Sequence, residues 1–335
     1  MSKILKFVKS EPVLCVAAVI AGVSCCWVRP SVAYLGYINW KTLGILLAMM
    51  IVVQLLHTIG IFDYLVQRIL LMVNSSKTLV LALVLACFFC SIFITNDIAL
   101  ITFVPFAIGS LMVAGLQDLI IWTVTLQTIA ANLGSMIMPI GSPQNIQIFT
   151  VSGMSVMDFF TVIFPYWIVS LVILVIASLA VPKREISGRV GSVEIEKKPI
   201  GAIVRETLSG VDYCLLLTFV AFYILIGNLS NIPSFVSLIN GIVTGNELWC
   251  SIIASQVISN VPACVMLCGF TSNYPMLLVG LNLGGLGTLI ASMANLISYN
   301  ILAHQVDKVK GKYIIVFTIA NLVMLAILIG VYFVI

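Results

Sequence analysis

Asn132-Leu133-Gly134 opens a stretch that closes on Ser142-Pro143-Gln144-Asn145, and Asn282-Leu283-Gly284 opens another that closes on Ser292-Met293-Ala294-Asn295. The second stretch begins 150 residues after the first, and Asn, Leu, Gly, Ser and Asn recur at the same offsets without a gap. A second matched pair precedes them. Ser91-Ile92-Phe93-Ile94-Thr95-Asn96-Asp97-Ile98-Ala99 aligns with Ser255-Gln256-Val257-Ile258-Ser259-Asn260-Val261-Pro262-Ala263. Both read Ser, three residues, a hydroxyl residue, Asn, two residues, Ala. Motifs repeated in the same order mark a chain built from two related halves.

Composition says what surrounds those halves. The chain has 335 residues, of which 61% are hydrophobic and 8% charged, with a mean hydropathy of +1.20. A soluble domain carries about 25% charge, so this is a bilayer protein. At about 20 residues per span, the length holds roughly eight to eleven apolar segments. Lys3, Lys6 and Lys9 precede the apolar run Val13–Val28, and no small-residue cleavage site follows, so the run reads as a retained first span. The nine cysteines show no metal spacing, and packing explains them. A soft-metal thiol site, if the chain has one, is expected at Cys264 and Cys268, which stand at i,i+4.

Basic residues set the orientation. The longest polar stretch, Pro182–Asp212, holds Lys183, Arg184, Arg189, Lys197, Lys198 and Arg205 and is expected in the cytoplasm. Lys308, Lys310 and Lys312, Arg68 with Lys77, and the N-terminal lysines mark the same side. One topology satisfies all four groups. Val13–Val28 runs outward, Thr42–His57 returns, and Phe62–Val73 lies along the inner interface. Leu79–Phe106 goes in and comes back, as a re-entrant hairpin or as two spans. Leu119–Phe149 then crosses outward and Phe160–Val181 returns. In the second half, Tyr213–Leu229 runs out and Phe235–Val243 lies at the outer interface. Trp249–Phe270 makes the second excursion, Met276–Ala303 crosses inward and Tyr313–Ile335 outward. The divisions are residues 1–41, a first repeat at 42–181, a basic linker at 182–212 and a second repeat at 213–335. The N-terminus is then cytoplasmic and the C-terminus outside. Because Leu119–Phe149 and Met276–Ala303 run in opposite directions, the repeat is inverted, the architecture that lets a transporter alternate around one site.

The motifs put polar and helix-breaking residues at membrane depth. Gly134, Pro139, Gly141 and Pro143 interrupt one crossing segment; Gly284, Gly285 and Gly287 interrupt the other. Broken helices survive in a bilayer only against protein or a water-filled cavity, where their ends present carbonyls to cations and N–H groups to anions. Side-chain oxygens of Ser, Thr and Asn suit a hard cation such as Na⁺. Two constellations are expected, Thr95/Asn96 with Ser142/Asn145 and Ser259/Asn260 with Ser292/Asn295, with Na⁺ at Asn96/Asn145 and at Asn260/Asn295. Asp97 is the one carboxylate within a motif, opposite Val261, and is expected to bind the coupling cation or carry a proton. His57 and His304 read as interface residues; Asp118, Asp158, Asp212 and Glu247 fall at segment ends, where solvation explains them. No HExxH, GxSxG or GxxxxGK[ST] pattern occurs, which argues against an enzyme or an ATP-driven pump.

These residues resemble the ion transporter superfamily: divalent-anion:sodium symporters, citrate-transporter-like permeases, arsenite permeases and NhaD-type sodium/proton antiporters. The resemblance rests on Thr95-Asn96-Asp97-Ile98-Ala99-Leu100, Ile140-Gly141-Ser142-Pro143-Gln144-Asn145, Ser259-Asn260-Val261-Pro262-Ala263 and Asn282-Leu283-Gly284-Gly285-Leu286-Gly287-Thr288. It implies an all-α polytopic membrane fold with two re-entrant helical hairpins, two broken transmembrane helices and substrate and cation sites at the hairpin tips, Thr288 among their residues. It also implies a homodimer in a bacterial or archaeal plasma membrane. The expected partners are a small solute or ion and lipid, not nucleic acid. No cofactor is expected beyond a coupling Na⁺ or H⁺. Asn96-Asp97 at the first tip is similar to the arsenite-permease branch.

Overall fold

The computed structural model describes residues 11–62, 64, 68, 73–186, 199–307 and 309–335. Lys3, Lys6, Lys9, Arg189, Lys197, Lys198, Lys308 and most of the expected interfacial piece Phe62–Val73 lie outside the described residues. Among the described residues every regular element is helical, and one isolated antiparallel bridge joins Ser75 to Glu185. The first half contains α1 (Pro12–Ser24), α2 (Trp40–Thr58), α3 (Ser76–Cys90), α4 (Asn96–Val113), α5 (Ile120–Ser135), α6 (Pro143–Ser152) and α7 (Val156–Leu179). The second contains α8 (Ile200–Ser209), α9 (Tyr213–Leu229), α10 (Pro233–Val243), α11 (Glu247–Ile258), α12 (Asn260–Leu267), α13 (Tyr274–Gly284), α14 (Met293–Gln305) and α15 (Lys310–Tyr332).

Five of these runs are long and apolar enough to cross a membrane: α2, α4, α7, the continuous stretch Ile200–Leu229, and α15. The pair α10 and α11, bent by 109° at a short break, makes a sixth if counted as one span. This is the architecture of an all-helical, polytopic membrane protein. The polar stretch read as a basic linker ends in α8, which packs on α2. Ile200, Val204 and Leu208, at i,i+4 spacing, form an exposed apolar stripe on that helix, so the sequence pattern there is amphipathic and not merely polar.

Several helix starts away from the breaks carry side-chain caps. Ser75 and Thr78 cap α3 reciprocally, Ser155 and Asp158 do the same for α7, and the Asp212 carboxylate accepts from Leu215 N–H at 2.9 Å. Asp118, Asp158 and Asp212 are exposed, as segment ends should be. Glu247 is not. It is buried, and its carboxylate accepts from Gly245 N–H at 3.1 Å and Thr271 Oγ1 at 2.9 Å. Two local donors take the place of solvent there.

The apolar interior divides in two. The larger part unites α3, α4, α5, α7, α11, α13 and α15. A smaller one joins α1, α2 and α9, and receives Ile146 from α6 and Val265 from α12. At one end, the chain leaving α7 folds back onto the start of α3. Ser76 N–H donates to Arg184 O at 2.9 Å, and Ser76 Oγ accepts from Arg184 N–H at 2.8 Å. The Arg184 guanidinium then makes two bonds of 2.7 Å to the Asp118 carboxylate, which ties this corner to the start of α5.

Candidate functional site

Each of two helix breaks frees carbonyls that an intact helix would have satisfied. In the first, α5 stops at Ser135 and α6 starts at Pro143; in the second, α13 stops at Gly284 and α14 starts at Met293. Asn145, in the first turn of α6, reaches back with Nδ2 to Met138 O at 3.2 Å, Met136 O at 3.3 Å and Ser135 O at 3.4 Å. Asn295, in the first turn of α14, reaches back with Nδ2 to Gly285 O and Thr288 O, both at 3.0 Å. Ser135 and Gly285, and Met138 and Thr288, stand at the same 150-residue offset as the two asparagines.

The breaks are also joined to one another. Asn132 Nδ2 donates to Asn295 Oδ1 at 2.8 Å, and Asn282 Nδ2 donates to Asn145 Oδ1 at 2.8 Å. Close approach makes room for this. A side chain at Gly134 would run into the Phe88 carbonyl and Ser91, and one at Gly284 would stand 2.6 Å from Ser255 Oγ. Ser91 and Ser255 are themselves the aligned first residues of the tip motifs.

The tips join the same network. Asn96 Nδ2 donates to Asn132 Oδ1 at 3.0 Å, and Ser292 Oγ donates to that oxygen at 3.1 Å. Asn260 N–H donates to Ala291 O at 3.0 Å, and its carboxamide lies against Gly285. The backbone of Ser259, at φ +73° and ψ 152°, occupies a region that glycine fills without cost and other residues do not. The second break has an extra clamp. Gln256 Nε2 donates to Gly284 O and Leu286 O, each at 2.9 Å, while its Oε1 accepts from Thr288 N–H at 3.0 Å, closing the turn at Gly287, where φ is +106°. The aligned residue in the first half is Ile92, which has no such groups.

Two properties set this region apart. The first is the state of the helix starts. Thr95, Ser142, Ser259 and Ser292 occupy the N-cap positions of α4, α6, α12 and α14, yet none of the four hydroxyls caps its own helix. The second is a set of buried oxygens without a protein partner: Asn96 Oδ1, Asp97 Oδ1, Ser142 Oγ, Gln144 Oε1 and Asn282 Oδ1. A buried polar group left unpaired is costly, and five in one neighbourhood point to a ligand. The two halves differ here: Asn132 Oδ1 has two donors, while its counterpart Asn282 Oδ1 has none. Thr95, Asp97, Pro143 and Met293 also line a cavity of about 470 Å³, together with Gln54 and Asp212.

The expected site residues Thr95, Asn96, Asp97, Ser142, Asn145, Ser259, Asn260, Ser292 and Asn295 therefore all sit at the breaks and tips. Thr288 enters through its backbone alone; its side chain is exposed. Direct hydrogen bonds link Asn96 through Asn132 to Asn295, and Asn145 to Asn282, so the carboxamides form a crossed network. Asn132, Asn282 and Gln256 were absent from the expected set. The first two were visible as anchors of the repeat, and Gln256 stands inside the aligned tip motif.

A family model described as citrate transporter matches residues 7–273. The chain belongs to the citrate-transporter family. It is 29% identical over 296 residues to an uncharacterized transporter of Methanocaldococcus jannaschii, covering 78% of this chain and 80% of that protein. It is also 29% identical over 299 residues to the inner membrane protein YbiR of Escherichia coli, covering 78% and 79%. A shorter match, 29% over 127 residues, is to the putative transporter arsB of Dictyostelium discoideum, covering 37% of this chain and 22% of that one. This citrate-transporter family member is thus an integral membrane transporter, and the resemblance read from its motifs holds.

Proposed function

We propose that the protein is a secondary active transporter that moves a small anionic solute, coupled to Na⁺ or H⁺, by alternating access around two inverted halves. The observation that carries this reading is the meeting of four uncapped helix starts with unpartnered oxygens at the two breaks. Free N–H groups at a helix start attract anions. Carboxamide, hydroxyl and carboxylate oxygens attract a hard cation. Both kinds of ligand therefore have a place, and each offsets the other's charge.

In this reading the coupling cation sits among Asp97, Asn96, Ser142 and Asn282, and the solute is held by the starts of α4, α6, α12 and α14. Asp97 binds or exchanges the coupling ion; Val261 cannot, so the halves contribute unequally. The repeated Asn145 and Asn295 geometry supports a structural repeat, whose inversion follows from the expected orientation of the two segments. The length of α3, about 22 Å at 1.5 Å per residue, supports a re-entrant hairpin, since a bilayer core is about 30 Å thick. The expected orientation, with the N-terminus in the cytoplasm, and the homodimer belong to the same proposal.

Purified protein in sealed vesicles tests it, with Na⁺ and pH gradients imposed separately and di- and tricarboxylates, sulfate and arsenite offered in turn. Gradient-driven uptake of one anion is the expected result. No coupled flux of any of them removes the reading. Two alternatives have their own arms. Na⁺/H⁺ exchange, favoured by Asp97, gives a Na⁺-driven pH change with no anion added. Arsenite efflux, favoured by Asn96-Asp97 and by the name of the Dictyostelium relative, gives resistance in a sensitive host.

A further inference from the structure

Cys264 on α12 and Cys268 at its C-cap lie one turn apart with their sulfur atoms 3.7 Å from each other. Cys264 is fully buried, and its Sγ lies 3.4 Å from the carbonyl oxygen of Gln144 at the start of α6. Cys268 is buried as well, but less completely, at 6% exposure. The other closely spaced cysteines are turned elsewhere: Cys25 Sγ donates to Ala21 O at 3.3 Å and Cys87 Sγ to Gln127 O at 3.5 Å. Nothing in the proposed transport cycle uses the α12 pair.

We propose that Cys264 and Cys268 form a vicinal dithiol that binds trivalent arsenic oxyacids and their organic derivatives. Sulfur ligands select soft centres, and a zinc-like ion wants four ligands. Among the described residues no third His, Cys, Asp or Glu joins the pair to begin such a set. Trivalent arsenic needs only the two sulfurs, because a hydroxyl or an organic group fills its third position. Two As–O bonds break and two As–S bonds form. Each thiol proton leaves with an arsenic-bound hydroxide, so two waters depart and arsenic stays trivalent. Reactants and products are all neutral, so the condensation buries no charge in the apolar interior, where an ion would be costly. Cys268, the less buried of the two, meets the arsenical first, and Cys264, already in sulfur contact, closes the ring. The adduct stands where α12 meets α6, one turn from Asn260, and wedges the seam. It therefore blocks transport, a consequence that rests on the proposed site; the binding does not.

Phenylarsine oxide is the probe. The purified full chain is treated with it, the remaining thiols are alkylated, and the protein is read by intact mass and by peptide mapping. The expected result is one phenylarsenic group per chain, with Cys264 and Cys268 the protected pair. The adduct should be lost in Cys264→Ser and in Cys268→Ser, and kept when the seven other cysteines are replaced. A dithiol such as 2,3-dimercaptopropanol should reverse it where an excess of monothiol does not. An adduct that maps to other cysteines, that survives either serine variant, or that fails to form on the folded wild-type chain overturns the proposal. Mapping on the wild-type chain decides the matter even if a variant does not fold. Because mass is read independently of flux, failure to find a transported anion leaves this result standing.

Discussion

Asn132 donates from Nδ2 to Asn295 Oδ1 at 2.8 Å, and Asn282, 150 residues after Asn132, donates to Asn145 Oδ1 at the same distance. The two bridges are alike, but their neighbours are not. Asn132 Oδ1 also accepts from Asn96 and Ser292, so its loss strands three buried groups, whereas loss of Asn282 strands one across the bridge. Each stranded group costs about 1–3 kcal/mol. Asn132→Ala should therefore lower the unfolding temperature in detergent by more than Asn282→Ala does. Both should impair flux. Equal destabilisation would mean that the bonds to Asn96 and Ser292 contribute nothing.

How much of this was legible beforehand depended on periodicity and on chemistry of different reach. The repeat of Asn, Gly, Ser and Asn marked the stretches where both helices break, because a helix break must declare its breakers and its polar partners locally. The pairing across the breaks was not legible. Asn145 meets Asn282, and Asn96 meets Asn132, through a packing of α5, α6, α13 and α14 that no spacing encodes. Glu247 misled for a related reason: a carboxylate at a segment end looks solvated, and only the fold brings Thr271 to it. Helix α8 hid within a polar stretch because its Ile200, Val204 and Leu208 stripe is outvoted by neighbouring charges. The uncapped helix starts needed coordinates too, since a Ser or Thr before a helix ordinarily signals a cap.

The glycines make a graded prediction about close packing. A methyl group at Gly134 meets main-chain atoms of Phe88, which cannot rotate away, while one at Gly284 meets chiefly the Ser255 side chain. Gly109 has open space around it. Overpacking costs about 1–3 kcal/mol. Gly134→Ala should be the most destabilising of the three in a thermal melt, Gly284→Ala intermediate and Gly109→Ala neutral or slightly stabilising. A Gly134→Ala protein as stable as wild type would show that α3 and α5 do not pack as closely as described.

The Arg184–Asp118 pair sets an acid limit on one corner of the molecule. The bidentate contact with Arg184 holds the Asp118 carboxyl below its usual range. A lowered folded value adds stability that is complete above the unfolded value, about 3.9, and is lost as pH falls through the folded one. Both side chains are about half exposed, so the effect is small. Melting curves should fall below about pH 4, and Arg184→Gln should make that fall shallower while lowering stability slightly at neutral pH. Parallel acid limbs in the two proteins would remove the pair from the account.

Ser259 separates strain from ligation. Its φ of +73° with ψ of 152° lies where a Cβ costs about 1–3 kcal/mol, and glycine adopts that geometry without the penalty. In the proposed site, strain retained beside an uncapped helix start is offset by what the hydroxyl binds. Ser259→Gly should then raise the unfolding temperature and at the same time weaken transport, with the loss appearing as a higher half-saturating concentration of solute or Na⁺. Asn260→Ala, which removes a carboxamide from relaxed helical backbone, should weaken transport without the gain in stability. A Ser259→Gly protein that transports as well as wild type would take the hydroxyl out of the site, and one that melts lower would show that the strained backbone depends on its side chain.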